Sequence, residues 1–167
     1  MTPVIRRLDP DHDRAAVAQF FDAAADYIWL ERGVAPGPEV TEAFFTDTPP
    51  GCDPAASHRL GLAATADGPL LGLADLAFGH PDATAAFLGL MMLRPEARGR
   101  GLGRRFLQHL EATARDSGAN TLFLAVLDEN PRAMAFWHRE GFTVRLTGRP
   151  VRLGAKSHTA SRLAKPL

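Results

Sequence analysis

The sequence predicts one α/β domain of α+β character, spanning residues 1–167, with a mixed, mostly antiparallel central sheet of six to seven strands and about four helices. Three observations predict it. The chain has 167 residues, 46% of them apolar, enough for one domain to bury about 70% of its unfolded surface without a disulfide or metal staple. Three apolar runs between residues 59 and 93 are joined by short turn-rich links, the pattern of an antiparallel meander. At residue 94 the pattern changes to a Gly- and Arg-rich loop, an amphipathic segment and a short apolar run.

Taken in order, Val4 to Leu8 reads as a short strand. Asp9-Pro10 supplies a cap and a first-turn proline, and Val17, Phe20, Phe21, Ala24 and Ile28 recur at helical spacing, so residues 10–27 read as one amphipathic helix. The segment from Gly33 to Pro38 breaks it, and a shorter helix follows over 38–46. Pro49-Pro50-Gly51 is a loop. The meander strands are Arg59–Thr65, Leu70–Phe78 and Ala85–Leu93. Leu102, Phe106, Leu107, Leu110 and Ala114 define the next helix, which Gly118 ends. Thr121 to Val126 is almost continuously apolar, the mark of a strand buried on both faces. Asn130-Pro131 starts a short helix that Gly141 stops, and Phe142–Leu146 and Thr159–Ala164 read as closing strands.

Composition excludes several classes. Cys52 is the only cysteine, so an intrachain disulfide and a zinc site built on two or more cysteines are ruled out. The six histidines share no metal-ligand spacing, and no metal is implied. No apolar run approaches the ~20 residues that span a bilayer, and residues 1–7 lack the apolar core of a secretory signal, so the expected compartment is the cytoplasm. The net charge of zero hides a split. Residues 1–85 carry 13 acidic and 5 basic side chains, a net of −8, and residues 86–167 carry 6 and 14, a net of +8. Such a split suits either two sites for oppositely charged groups or two halves that simply attract. The arginines between 94 and 105 lack aromatic interleaving, and no nucleic-acid or membrane partner is expected.

The segment from Leu93 to Arg104, between a strand and a helix, carries the chemistry. Glycines let the backbone approach a ligand closely, and the first N–H groups of a helix carry the positive end of its dipole. Such a unit can hold a pyrophosphate. No Lys-Ser/Thr follows the glycines, so it is not a nucleoside-triphosphate P-loop. Phe106 and Arg104 stand where a dinucleotide fingerprint needs glycine. The pattern that fits is Arg/Gln-x-x-Gly-x-Gly/Ala, met by Arg98, Gly101 and Gly103. A second segment, Asn130-Pro131-Arg132-Ala133-Met134-Ala135-Phe136-Trp137 ending in Gly141-Phe142, begins 27 residues after Gly103.

Together these segments resemble the GNAT superfamily of acyl-CoA-dependent N-acetyltransferases, most specifically over about residues 86–142. The resemblance implies a V-shaped opening between the strand ending at Leu93 and the strand ending at Val126, with acetyl-CoA in it as cosubstrate. It implies that backbone around Met91, Met92 and Leu93 pairs with the pantetheine arm, and that Arg98, Gly99, Arg100, Gly101, Leu102, Gly103 and Arg104 hold the pyrophosphate. Asn130 would contact the pantetheine, cap the helix, or do both. The reaction implied is direct attack by a primary amine of a small molecule or peptide on the thioester, in one ternary complex. A non-catalytic acyl-CoA sensor and a protein Lys or N-terminal acetyltransferase are the alternatives. The resemblance also admits a homodimer, for which closing strands often supply the contact.

The sequence departs from the family at Trp137, where a tyrosine often serves as general acid. Indole N–H is no useful acid at neutral pH, so Trp137 reads as a wall of the cofactor site. Tyr27, the only tyrosine, and His138 are the other acids on offer, with water the simplest. The strand around Gly89 carries no carboxylate, and the base candidates are Asp75, Glu31 and His80. Asp75 sits among apolar residues, Leu73-Ala74-Asp75-Leu76-Ala77, and points either to solvent or into a site that raises its pKa. The substrate side is assigned to the first helices, with Tyr27, Trp29 and Glu31, flanked by Asp26 and Phe45, forming an acidic, aromatic rim for a cationic amine.

Overall fold

The computed structural model describes residues 2–167; Met1, the first residue of the predicted domain, lies outside them. Strand β1 (Val4–Arg7) leads into α1 (Pro10–Ala23), where Asp9 accepts from the Asp11 amide at 2.7 Å as N-cap. The predicted helix over 10–27 is two helices. At Ala24 the backbone leaves helical geometry (φ −106°, ψ 30°), and α2 (Ala25–Arg32) restarts from it before Gly33 ends it at φ 73°. The break buries Ile28 with Val17, Phe20 and Phe21 and turns Tyr27 toward the sheet. Helix α3 (Pro38–Thr46) follows as predicted.

The strands β2 (His58–Ala63), β3 (Leu70–Phe78) and β4 (Ala85–Leu93) form the predicted meander. A 3₁₀ turn (Pro95–Ala97) and α4 (Leu102–Asp116) come next, then β5 (Thr121–Leu127), α5 (Pro131–Arg139), β6 (Thr143–Leu153) and β7 (Lys156–Pro166). The seven strands make one sheet in the order β1-β2-β3-β4-β5-β7-β6, and β4–β5 is its one parallel pair. Among the described residues there are five α-helices, the predicted first helix being divided at Ala24.

Each sheet face is covered. Phe106, Leu107 and Leu110 of α4 pack with Trp137 and Phe142 on one face, and α1, α2 and α3 bury Phe20, Phe21, Ile28 and Phe44 on the other. The closing strands run to 11 residues each, longer than the predicted 142–146 and 159–164, and form a hairpin turning at Gly154. Among the described residues no helix is long and apolar enough to cross a membrane.

Candidate active site

Strands β4 and β5 pair only from Ala85↔Thr121 to Leu88↔Leu124. The next residue of β4 causes the separation. Asp75 of β3 pairs with Leu90 and Leu76 with Leu88, so Gly89 is an extra residue bulged out of the ladder. Beyond it β4 continues to Leu93 against β3, and β5 runs on to Leu127 against β7, with no register between them. The divergence opens a cleft of about 820 Å³, within the usual range for a small-molecule site. Its sides are Leu88–Leu93 and Leu124–Leu127, and its floor is built from the 94–104 loop and α5. A strand that has lost its neighbour presents backbone N–H and C=O groups that an extended ligand can pair with.

At the end of β4 the loop is shaped to receive an anion. Gly99 (φ 70°) and Gly101 (φ 78°) are both left-handed, a conformation that glycine adopts without penalty. Gly101 caps α4 and has no side chain to satisfy the first amides of that 15-residue helix. Gly103 packs against the Phe136 ring, where a Cβ would make ordinary contact at 3.4 Å. Arg98 locks the loop in place. Its Nε donates to the Leu93 carbonyl at 3.1 Å, and its two terminal nitrogens hold Asp26 of α2 at 2.6 and 3.1 Å. That hydrogen-bonded guanidinium holds the Asp26 carboxyl below its ordinary pKa. Arg104, Arg132 and Arg139 also line the cleft, with Arg104 on Glu140 at 3.0 Å. An uncapped helix N-terminus, left-handed glycines and arginines are features that suit a pyrophosphate, and the open strand edge beside them suits an extended arm.

A smaller pocket of about 120 Å³ lies beside the cleft, under α1, α2 and α3. Tyr27 and Leu90 line both. Phe21, Ile28, Val40 and Phe44 form its apolar wall, and Glu31, Asp47 and Asp75 bring three carboxylates. The Asp75 side chain is 13% exposed, and burial raises its pKa to about 6, with Arg59 opposing and Asp47 adding to the rise. Arg59 is a buried clamp. Its Nε donates to the Phe44 carbonyl at 2.6 Å, its Nη2 donates to the Asp47 carbonyl at 2.8 Å, and its Nη1 stands 3.3 Å from Asp75 Oδ1. Burial, then the neighbouring Glu31 carboxylate, raises the pKa of the Tyr27 hydroxyl, which therefore stays protonated at neutral pH.

Three groups from the β6–β7 hairpin cap the last turn of α2. Lys156 Nζ donates to the Leu30 carbonyl at 3.0 Å, the buried His158 donates through Nε2 to the Glu31 carbonyl at 2.6 Å, and the Ala155 amide reaches the Arg32 carbonyl at 3.4 Å. The wall carrying Tyr27 and Glu31 is thus tied to the far side of the splay.

The acetyltransferase (GNAT) family model matches residues 15–142. The chain belongs to the GNAT family. An acetyltransferase from Thermus thermophilus superposes with a TM-score of 0.80 at 25% identity, over 100% of this chain and 98% of that one. The ribosomal-protein-S18-alanine N-acetyltransferase of Escherichia coli gives 0.70 at 20% identity over 99% and 94%, a likeness of fold. A curated relative, the 5-NmdU N-acetyltransferase of Pseudomonas phage PaMx11, is 39% identical over 64 residues. That match covers 38% of this chain and 41% of the phage protein.

Within this GNAT domain the sequence-predicted residues separate into groups. Met91, Met92, Leu93, Arg98, Gly99, Gly101, Gly103, Arg104, Asn130 and Trp137 all line the cleft. Asn130 also caps α5, its Oδ1 accepting from the Ala133 amide at 3.2 Å. Trp137 is buried edge-on between Phe136 and Phe142. Leu102 and Arg100 do not line the cleft: Leu102 is buried in the core, and Arg100 turns outward toward the Glu96 carbonyl at 3.5 Å. Tyr27, Glu31 and Asp75 meet at the small pocket.

Trp29 and His80 are not brought there. Trp29 is 53% exposed, because the break at Ala24 sets α2 with Ile28 inward. His80 stacks edge-on against Phe87 in the β3–β4 turn, at the end of the sheet remote from the splay. Phe45 packs beside the apolar wall without lining the pocket. His138 bonds to the Phe142 carbonyl at 3.2 Å. Sequence reasoning missed Arg59, Asp47 and His158. The single signal for Arg59 was an arginine heading an apolar strand run.

Proposed function

We propose that this protein transfers the acetyl group of acetyl-CoA to a primary amine within one ternary complex. The observation that carries the reading is the splay of β4 and β5 past Leu88 and Leu124, which opens onto the uncapped start of α4. The free edge of β4 around Met91–Leu93 would pair with the pantetheine arm, and the amides from Gly101 to Arg104 would take the pyrophosphate. A backbone N–H near Met91 would donate to the thioester oxygen as it becomes negative.

Asp75 is the base this arrangement favours, reached by the amine past Tyr27 and Leu90. With its pKa at about 6 it is mostly ionised at pH 7, yet basic enough to accept a proton. Tyr27 holds its proton and acts as a donor at the junction of the two pockets. The thiol pKa near ~8.5 makes the CoA thiolate a good leaving group without a strong acid. Trp137 supports a second reading, an acyl-CoA sensor that does not turn over, because its indole cannot serve as an acid.

Calorimetric titration with acetyl-CoA, followed by a thiol-release assay across an amine panel, tests both. The expected result is micromolar binding, lost in the Gly101→Glu, Gly103→Glu double variant, and amine-dependent thiol release. Binding without release would leave the sensor reading standing. No binding at millimolar acetyl-CoA would overturn both.

A further inference from the structure

The small pocket carries more information than a generic amine site. Resting on the transferase reading above, we infer that the acceptor is the ω-ammonium of an unbranched alkyl chain of about four or five carbons, carrying no carboxylate near the amine. Size, charge and the placement of Asp75 beside the Gly89 bulge support this.

The pocket is about 120 Å³. An apolar cavity of about 150 Å³ holds benzene, so this one admits about five non-hydrogen atoms. Its wall is Phe21, Ile28, Val40 and Phe44, with Ala43 beside them, which suits methylene groups. The charge is one-sided. Glu31, Asp47 and Asp75 all face it, against Arg59 behind Asp75 and Arg32, 3.4 Å from Glu31. A carboxylate beside the amine, as in an α-amino acid, would meet three like charges.

Asp75 Oδ1 is buried against Arg59 Nη1 at 3.3 Å, and neither atom has another hydrogen-bond partner, which leaves Oδ2 as the oxygen for an ammonium N–H. Oδ2 faces the bulge, where a Cβ on Gly89 would come within 3.3 Å of it. Asp75 therefore sits where the pocket meets the cleft, and exposed Asp47 marks the solvent side. An ammonium drawn to Asp75 arrives at the splay with its chain lying along the apolar wall.

The step balances as follows. Asp75 takes one N–H proton from the ammonium. The freed lone pair forms the C–N bond at the thioester carbonyl and the C–S bond breaks. A second N–H proton leaves the new amide for the departing thiolate, and Asp75 returns its proton to solvent. The same chemistry is offered by a free alkylamine or diamine and by the end of a lysine side chain.

The test is thiol release from acetyl-CoA with n-alkylamines of three to eight carbons, α,ω-diamines, Nα-acetyl-lysine methylamide, free α-amino acids and aniline. kcat/KM is expected to peak at four or five carbons and to be at least tenfold lower for α-amino acids and aniline. Ala43→Leu should shorten the preferred chain, and Val40→Ala should lengthen it, so the pair stays informative if one variant folds poorly. Diamines working where the lysine derivative does not would identify a free small molecule; the reverse would identify a side chain. Release with amino acids or aniline but not with alkylamines, or a length optimum that neither variant moves, would overturn the inference and leave the transferase reading intact. No release with any amine, in protein that binds acetyl-CoA, would overturn both.

Discussion

Replacing Asp75 by Asn removes the proposed base while keeping nearly the same volume beside Gly89. In the wild type the productive encounter is an Asp75 carboxylate with an ammonium. kcat/KM should therefore be bell-shaped, with an acid limb at about 6 from Asp75 and an alkaline limb near ~10 from the amine. With the acid limb at about 6, the carboxylate is roughly nine-tenths ionised at pH 7 and one-tenth at pH 5, so the rate should fall about tenfold across those two units. Asn cannot take the proton, and loss of a general base costs about 10²–10⁴-fold. The variant should react only with amine that is already neutral, so its rate should climb tenfold per pH unit up to the amine's own pKa. Asp75 does not line the large cleft, so acetyl-CoA affinity should stay within about twofold. The assay is thiol release under kcat/KM conditions from pH 5 to 10, with calorimetry for acetyl-CoA and thermal melting to establish folding. A variant that keeps the limb near 6, or loses less than about threefold in rate, would show that Asp75 is not the base.

Two further outcomes follow from the surroundings of that carboxylate. Arg59→Ala strands the Phe44 carbonyl and takes the counter-ion from Asp75; breaking a buried pair this way costs about 3–5 kcal/mol, read as a fall in Tm. The freed carboxyl should titrate higher still, moving the acid limb of kcat/KM above 6. Because a carboxyl raised above its unfolded value of about 3.9 penalises the fold once ionised, the destabilisation should be greatest above that limb and shrink as the pH falls toward 4. His158→Ala removes the 2.6 Å bond to the Glu31 carbonyl and should raise KM for the amine several-fold with acetyl-CoA affinity unchanged by calorimetry; an equal loss in both affinities would mean that the α2 tether does not act on the acceptor side alone.

The phosphate loop was legible in the sequence because its parts are local, whereas the opening between β4 and β5 was implied only by the family resemblance. A strand, a loop with glycines at 99, 101 and 103, and an amphipathic helix follow one another directly, and local patterning is what periodicity records. The small pocket was not, because it is assembled from α1, α2, α3, β3 and β4, which only the tertiary fold brings together. The ambiguity over Asp75 has a definite cause. Alternation identifies a solvent-facing residue only when one sheet face is wet, and β3 is central, covered by α4 on one face and by α1 on the other. The break at Ala24 escaped because apolar spacing continues through it, and the closing hairpin because Arg, Gly and Pro in β6 give an edge strand no alternation to read.

Gly89 links the two pockets mechanically. As the bulged residue it ends the β4–β5 pairing, and without that ending there would be no free strand edge for a pantetheine arm. As a glycine it leaves room for the Asp75 carboxylate, whose Oδ2 would lie 3.3 Å from any Cβ placed there. One residue thus opens the cofactor side and admits the base on the acceptor side. The charge division of the sequence then has a spatial meaning. Glu31, Asp47 and Asp75 all come from the acidic first half and line the small pocket, whereas Arg98, Arg104, Arg132 and Arg139 come from the basic second half and line the cleft. A cation and a polyanion approaching this surface are drawn to opposite sides of the same bulge, and meet where Tyr27 and Leu90 belong to both walls.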